Sequence, residues 1–313
     1  MNFIQQAYKG KNDWFYYLGG IFLVIFGWQI IGIMPLAITA VLYSENLEEF
    51  SNAANNTFMT LGINKNLFLF LMILMFAIGL IFLFLAVKFI HKRAVKTLVT
   101  SRKNIDWSRF WFGFITWGVV AVSVTVLGIF LTPESYTWNF EPIPFFTLVA
   151  VSFLFLPLQT SFEELLFRGY FMQGLGVWFK NRWLPLLITS VAFGLLHGAN
   201  PEVEKLGYIS MVFYIGTGLF FGITTLMDEG TELALGLHAA NNIVAAFLVT
   251  TNWTVFQTDA LFIDVSEPSV GIEMFLPVFI LYPLMLLLFS KKYNWKNWHE
   301  KLAGSIQKPQ NIE

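Results

Sequence analysis

The chain has 313 residues, of which 56% are hydrophobic, 18% aromatic and only 12% charged, with a mean hydropathy of +0.63. Soluble domains carry about 25% charge, and a soluble chain of this length could not withdraw 35 phenylalanines from water without leaving large apolar patches. Lys+Arg 19 against Asp+Glu 20 gives a net charge of -1, so there is no basic field for nucleic acid, and zero cysteines exclude disulfides, thiolate metal ligands and cysteine nucleophiles.

A helix needs roughly 20 mainly apolar residues to cross about 30 Å of hydrocarbon. Such runs occur, in chain order, at 14–43, 67–90, 110–131, 143–158, 183–197, 208–227, 233–249 and 275–289. The fifth and seventh are short or contain polar residues, and count as spans because each is free of Asp, Glu, Lys and Arg. Lys9 and Lys11 precede the first run, which is too long for a cleaved signal segment. The expected fold is all-α: a polytopic membrane protein of about eight transmembrane helices.

Basic residues set its direction. Lys92, Arg93, Lys96, Arg102, Lys103, Arg109, Lys180, Arg182, Lys291, Lys292, Lys296, Lys301 and Lys308 all fall on one side of such an array. The opposite loops hold Glu45, Glu48, Glu49, Glu134, Glu141, Asp259, Asp264 and Glu267, with Lys65 and Lys205 as their basic residues. The positive-inside rule then places both termini in the cytoplasm. The 91–109 stretch mixes basic and apolar residues and is expected along the cytoplasmic interface as a solvated loop. Asp228, Glu229 and Glu232 are expected in a solvated turn at the same face. No linker or repeat breaks the chain, which reads as one continuous membrane domain in three parts: helices of 1–131, a polar core at 142–249, and a last helix with a basic tail at 250–313.

Intramembrane charges are rare and usually functional, and here they concentrate between residues 160 and 242. Glu164 and Arg168 lie four apart on the continuation of the fourth span, where they can pair on one face. Glu163 lies about 100° round that helix with no local cation, so it needs water or a partner from another helix. His197 ends the fifth span, and His238 and Asn242 project together from the seventh. Singly, each of these could be a buried hydrogen-bonding group. Together they offer a general base, an imidazole that holds or relays a proton, and donors for a developing oxyanion. No two histidines are four apart and G-x-S-x-G is absent, which sets aside zincin and serine-type sites. A divalent metal such as zinc, held by Glu163, His197 and His238, stays open beside a metal-free mechanism.

The order E-E-x-x-x-R (Glu163, Glu164, Arg168), F-x-x-x-H (Phe193, His197) and H-x-x-x-N (His238, Asn242), each on its own apolar segment, resembles the CPBP family of intramembrane endopeptidases. That family includes the type II CAAX prenyl proteases and bacterial relatives linked to bacteriocin immunity. The resemblance covers about residues 142 to 249 and makes that stretch the catalytic core. It implies that Glu163 and His197 activate a water, that His238 and Asn242 hold the oxyanion, and that Glu164 and Arg168 maintain the site. The expected partners are the lipid bilayer and a membrane-associated protein or peptide substrate, and the expected location is the plasma membrane of a prokaryote. A proton-coupled transporter and a non-catalytic scaffold or immunity protein are the alternatives. A straight fourth span would put Glu163 about 30 Å from its start and His197 about 20 Å up the fifth. The two meet only if a helix is recessed or kinked at Pro157, and the site is then expected in the cytoplasmic half of the membrane.

Overall fold

The structure, a computed structural model, describes residues 1–55 and 58–310, so the last three residues of the basic tail lie outside the described residues. Its main helices are α1 (Trp14–Tyr43), α2 (Lys65–Ile90), α3 (Trp107–Leu131), α4 (Pro142–Phe179), α5 (Trp183–Leu196), α6 (Tyr208–Asp228), α7 (Glu232–Phe247) and α8 (Met274–Tyr293). All except α5 and α7 are long and apolar enough to cross a membrane by themselves. Phe22, Phe130 and Ile143 are 74%, 78% and 82% exposed, which suits lipid and not water. The fold is thus an all-α polytopic membrane architecture, as the apolar runs predict.

Local chemistry starts these helices. Asn64 caps α2 by accepting from the backbone N–H groups of Asn66 and Leu67, and Asp106 caps α3 by accepting from Ser108. Pro142 stands at the first turn of α4, where its missing N–H costs nothing. α4 continues well past residue 158, over 38 residues, with Pro157 inside it and a wider π-type turn at Leu165–Phe171 directly after Glu164.

α7 packs between α3 and α4, while α6 packs on α5. The α3–α7 contact is close enough that a Cβ on Gly236 would lie 2.0 Å from the Phe110 carbonyl oxygen, so only glycine fits there. A small sheet caps one end of the bundle, an element the periodicity did not predict. Its strands β1 (Tyr136–Trp138), β2 (Val249–Thr250) and β3 (Phe262–Asp264) are ordered β1-β3-β2. β1 runs antiparallel to β3 with Thr137 opposite Ile263, and β2 runs parallel to it with Val249 opposite Phe262.

The opposite end is closed by a buried ionic cluster. Asp228 and Glu232 have side chains 1% exposed, and Arg102 donates to both at 2.8 and 3.0 Å. Arg109 and the Trp295 indole also donate to Asp228. Glu229 accepts from Arg182 at 3.2 Å, from Lys301 at 2.5 Å and from the Phe3 amide at 2.5 Å. The expected solvated turn is therefore a clamp. It joins the chain's first residues, the segment after α2, the end of α4 and the C-terminal tail. The 91–109 stretch is drawn in with it: His91, Arg93, Thr97 and Thr100 are buried rather than solvated.

Candidate active site

The centre of the bundle holds a cavity of about 500 Å³. Glu163 from α4, His197 just past α5, and His238 and Asn242 from α7 all line it. Glu164 and Arg168 lie beneath it and are fully buried.

The pair under the floor is fixed first. Arg168 Nη1 donates to Glu164 Oε1 at 3.0 Å, Nη2 donates to the Gly218 carbonyl at 3.1 Å, and the guanidinium lies 4.4 Å from the centroid of the Phe193 ring. That carbonyl is reachable because Gly218 sits against α5, where a Cβ would meet the Ser190 carbonyl oxygen at 2.7 Å. Glu164 Oε1 also faces His238 Nδ1 at 2.9 Å. A carboxylate paired with arginine can only accept, so Nδ1 carries a proton and Nε2 is turned toward the cavity. There Nε2 stands 3.6 Å from Glu163 Oε2. The i,i+4 pair expected from the sequence is present, and it orients the histidine of another helix.

Glu163 finds its hydrogen-bond partner on its own helix, and another helix reaches it only through His238 at 3.6 Å. Gln159 Nε2 donates to Glu163 Oε1 at 2.6 Å, while Gln159 Oε1 accepts from Asn242 Nδ2 at 2.9 Å. One glutamine thus ties the α4 carboxylate to the α7 amide. Glu163 Oε2 is buried with no hydrogen-bond partner. An unpaired carboxylate oxygen in an apolar interior is costly, and here it faces a cavity large enough to admit a water. His197 Nδ1 lies 2.8 Å from the Phe193 carbonyl, which can only accept, so His197 presents an unprotonated Nε2. Its ring stacks on Tyr214 at 4.5 Å, and Tyr214 donates to Glu202 at 2.5 Å.

Sequence reasoning missed Gln159, Asn241, Tyr214 and Glu202. Gln159 was findable, since it precedes Glu163 by four residues and so shares its helical face. Tyr214 and Glu202 belong to the far wall and carry no spacing signal. The expected depth also changes. α4 continues for about 24 Å beyond Glu163, and His197 lies about 21 Å from the start of α5. Measured from the ionic clamp rather than from residue 143, the two residues stand at one level, and they line one cavity. Among the described residues no three His, Asp or Glu side chains are grouped to hold an ion. The three-ligand set Glu163, His197 and His238 is therefore incomplete.

An acid facing an imidazole beside a cavity inside a helical membrane bundle defines a broad class of protein: integral, multi-pass and with a polar intramembrane site. Residues 142–244 match the family model described as type II CAAX prenyl endopeptidase Rce1-like. The chain is also 30% identical over 262 residues to the uncharacterized protein YyaK of Bacillus subtilis (strain 168), covering 82% of this chain and 85% of that one. No solved structure matches. The chain belongs to the Rce1-like, CPBP family of membrane proteases.

Proposed function

We propose that the protein is an endopeptidase of a prokaryotic plasma membrane that hydrolyses a peptide bond of a membrane-associated protein or peptide. Glu163 Oε2, buried, unpartnered and facing the cavity beside His238 Nε2, is the observation that carries this reading. A water there gives its proton to Glu163 as its oxygen attacks the scissile carbonyl. His197 Nε2 accepts the water's other hydrogen and orients it. The Asn242 amide keeps one N–H on Gln159 and has a second for the oxyanion; His238 donates from Nε2 when it is doubly protonated. As the C–N bond breaks, the proton held by Glu163 passes to the leaving amine. Glu164 and Arg168 position His238 and do not touch the substrate. In this reading the catalytic core is 142–249, between helices of 1–131 and the basic tail of 250–313, and both termini are cytoplasmic.

Purifying the Glu163→Gln protein from native membranes and identifying bound polypeptides by mass spectrometry tests the assignment. Glu163→Gln should fold, lose cleavage and retain a polypeptide that the wild type releases as fragments. Equal cleavage by Glu163→Gln would overturn the assignment of Glu163 as the base, and an unchanged biological effect without any cleavage would favour a scaffold.

A further inference from the structure

The cavity has a direction that the reaction chemistry does not explain. Its floor, where Glu163 and His238 meet, is sealed toward the ionic clamp. Glu164 and Arg168 are 0% exposed, and Phe167, Phe193 and Phe221 pack around the guanidinium. Beyond them Leu98, also 0% exposed, lies against Gly169. A peptide has no route through this plug.

The walls run the other way. α2 contributes Leu69 to Phe76 from its first turns, and the loop after α7 contributes Thr251 and Val255. Glu202 fixes that loop, because its Oε2 accepts from the Val255 amide at 3.1 Å while Oε1 holds Tyr214 and Asn200. A second cavity of about 290 Å³, bounded by Glu202, Tyr214, Asp264 and Glu267, continues the first at this end. The mouth therefore lies among the loops that follow α5 and α7, at the end of the bundle away from the clamp.

Charge separates the same two ends. Sixteen of the 19 Lys and Arg lie in the segments gathered at or beside the clamp; Lys65 and Lys205 are at the mouth end, and Arg168 is buried between. Basic residues flanking membrane helices are retained in the cytoplasm, so the sealed end is the cytoplasmic one.

We propose that the cavity is entered from the extracytoplasmic side. The substrates are then exported peptides, or extracytoplasmic segments of membrane-anchored polypeptides, rather than cytoplasmic protein tails. This rests on the peptidase reading for the chemistry and on the cavity and the charges for the side. The acidic mouth, with Glu202, Asp264 and Glu267, suits a segment bearing lysine or arginine near the scissile bond.

Zero cysteines in the chain make a direct test clean. Asn252→Cys places a thiol on the mouth loop and Lys103→Cys places one beside the clamp; both positions are exposed. Intact cells expressing each full-length variant are treated with a membrane-impermeant maleimide, with the wild type as blank. Asn252→Cys should label in intact cells, and Lys103→Cys only after permeabilisation. The reverse pattern, labelling of both in intact cells, or no labelling of Asn252→Cys until permeabilisation, overturns the proposal. Labelling needs no catalysis, so the two readings fail separately. Outside labelling of Asn252→Cys with no peptide cleavage by the purified wild type refutes the peptidase alone. Reversed labelling with Glu163-dependent cleavage refutes the sidedness alone.

Discussion

Replacing Arg168 by methionine removes the cation of a pair that is buried on every side. A solvent-exposed i,i+4 pair contributes only about 0.3–0.5 kcal/mol, because water competes for both ions and the long side chains lose freedom. Neither Glu164 nor Arg168 has any exposed side-chain surface, so no water takes over when one is removed. Glu164 Oε2 already lacks a partner, and Oε1 would keep only His238 Nδ1. The Gly218 carbonyl would lose its side-chain donor in the same step. Leaving one charge of a buried pair uncompensated costs about 3–5 kcal/mol, and that is the expected loss for Arg168→Met. Glu164→Gln should cost a similar amount for the mirror reason, since it strands the guanidinium among Phe193, Phe221 and the Gly218 carbonyl. The double variant leaves two neutral groups, and its cost should fall short of the sum of the single losses by about 2 kcal/mol, toward the upper part of the range for residues in one network. Unfolding titrations of all four proteins in mixed micelles of fixed composition measure these terms. A loss below about 1 kcal/mol for Arg168→Met, or an additive double variant, would refute the claim that the pair is sealed from water.

Two further expectations separate positioning from stability. Gln159→Leu keeps the size of the side chain but releases both Glu163 and Asn242; with the base free to swing, kcat should fall about 10- to 100-fold at nearly constant KM, and an unchanged kcat would remove Gln159 from the machinery. His91 lies just beyond α2, with Nδ1 at 2.7 Å from the Lys11 carbonyl and Nε2 at 2.7 Å from the Tyr170 hydroxyl. Burial above all, opposed by the hydrogen bond to the Lys11 carbonyl and helped by the charge of Arg93, lowers its pKa to about 4. An unfolded histidine titrates near 6.5, so between about pH 6.5 and 4 the unfolded chain binds the extra proton. Stability from this group is complete above the unfolded value and is lost as pH falls to the folded one, by up to about 3 kcal/mol. Melting curves at pH 7.5 and 4.5 should show that loss in the wild type and a smaller one in His91→Gln; equal losses would rule out His91 as the cause.

The helical framework was legible because lipid imposes a simple rule: every backbone polar group must be satisfied within the segment, so long apolar runs become helices. Both ends of α1 and the C-terminal end of α3 follow directly from where apolar residues stop, whereas α8 runs four residues past its apolar run. The apolar run of α4 stops at residue 158 because Gln159, Glu163, Glu164 and Arg168 interrupt it; the helix is expected to continue through Glu164 and Arg168, and what the run does not show is that it goes on to Phe179. Hydropathy averages a residue's character over its chain neighbours and cannot register that its polar atoms are satisfied by another helix. The same limit hid the clamp. Asp228, Glu229 and Glu232 look like a solvated turn in one dimension, because the arginines that neutralise them come from more than a hundred residues earlier, for Arg102 and Arg109, and from about fifty earlier, for Arg182.

The site residues were legible for the opposite reason, since polar groups on apolar helices stand out against their neighbours. What spacing could not supply was which of them touch. Glu163 and His238 are separated by 75 positions, and only the packing of α7 against α4, made possible where Gly236 lets α3 close behind it, brings their side chains within 3.6 Å. Direction was hidden in the same way. The charges carry the proposed orientation of the bundle, but the depth of Glu163 had to be measured from the far end of α4, which the apolar run did not reveal. Once α4 is followed to Phe179, the buried Glu164–Arg168 pair has two effects at once: it orients His238 toward Glu163, and it closes the cavity on the basic side. In the proposed mechanism, the residues that set up the chemistry therefore also determine the side from which a substrate reaches it.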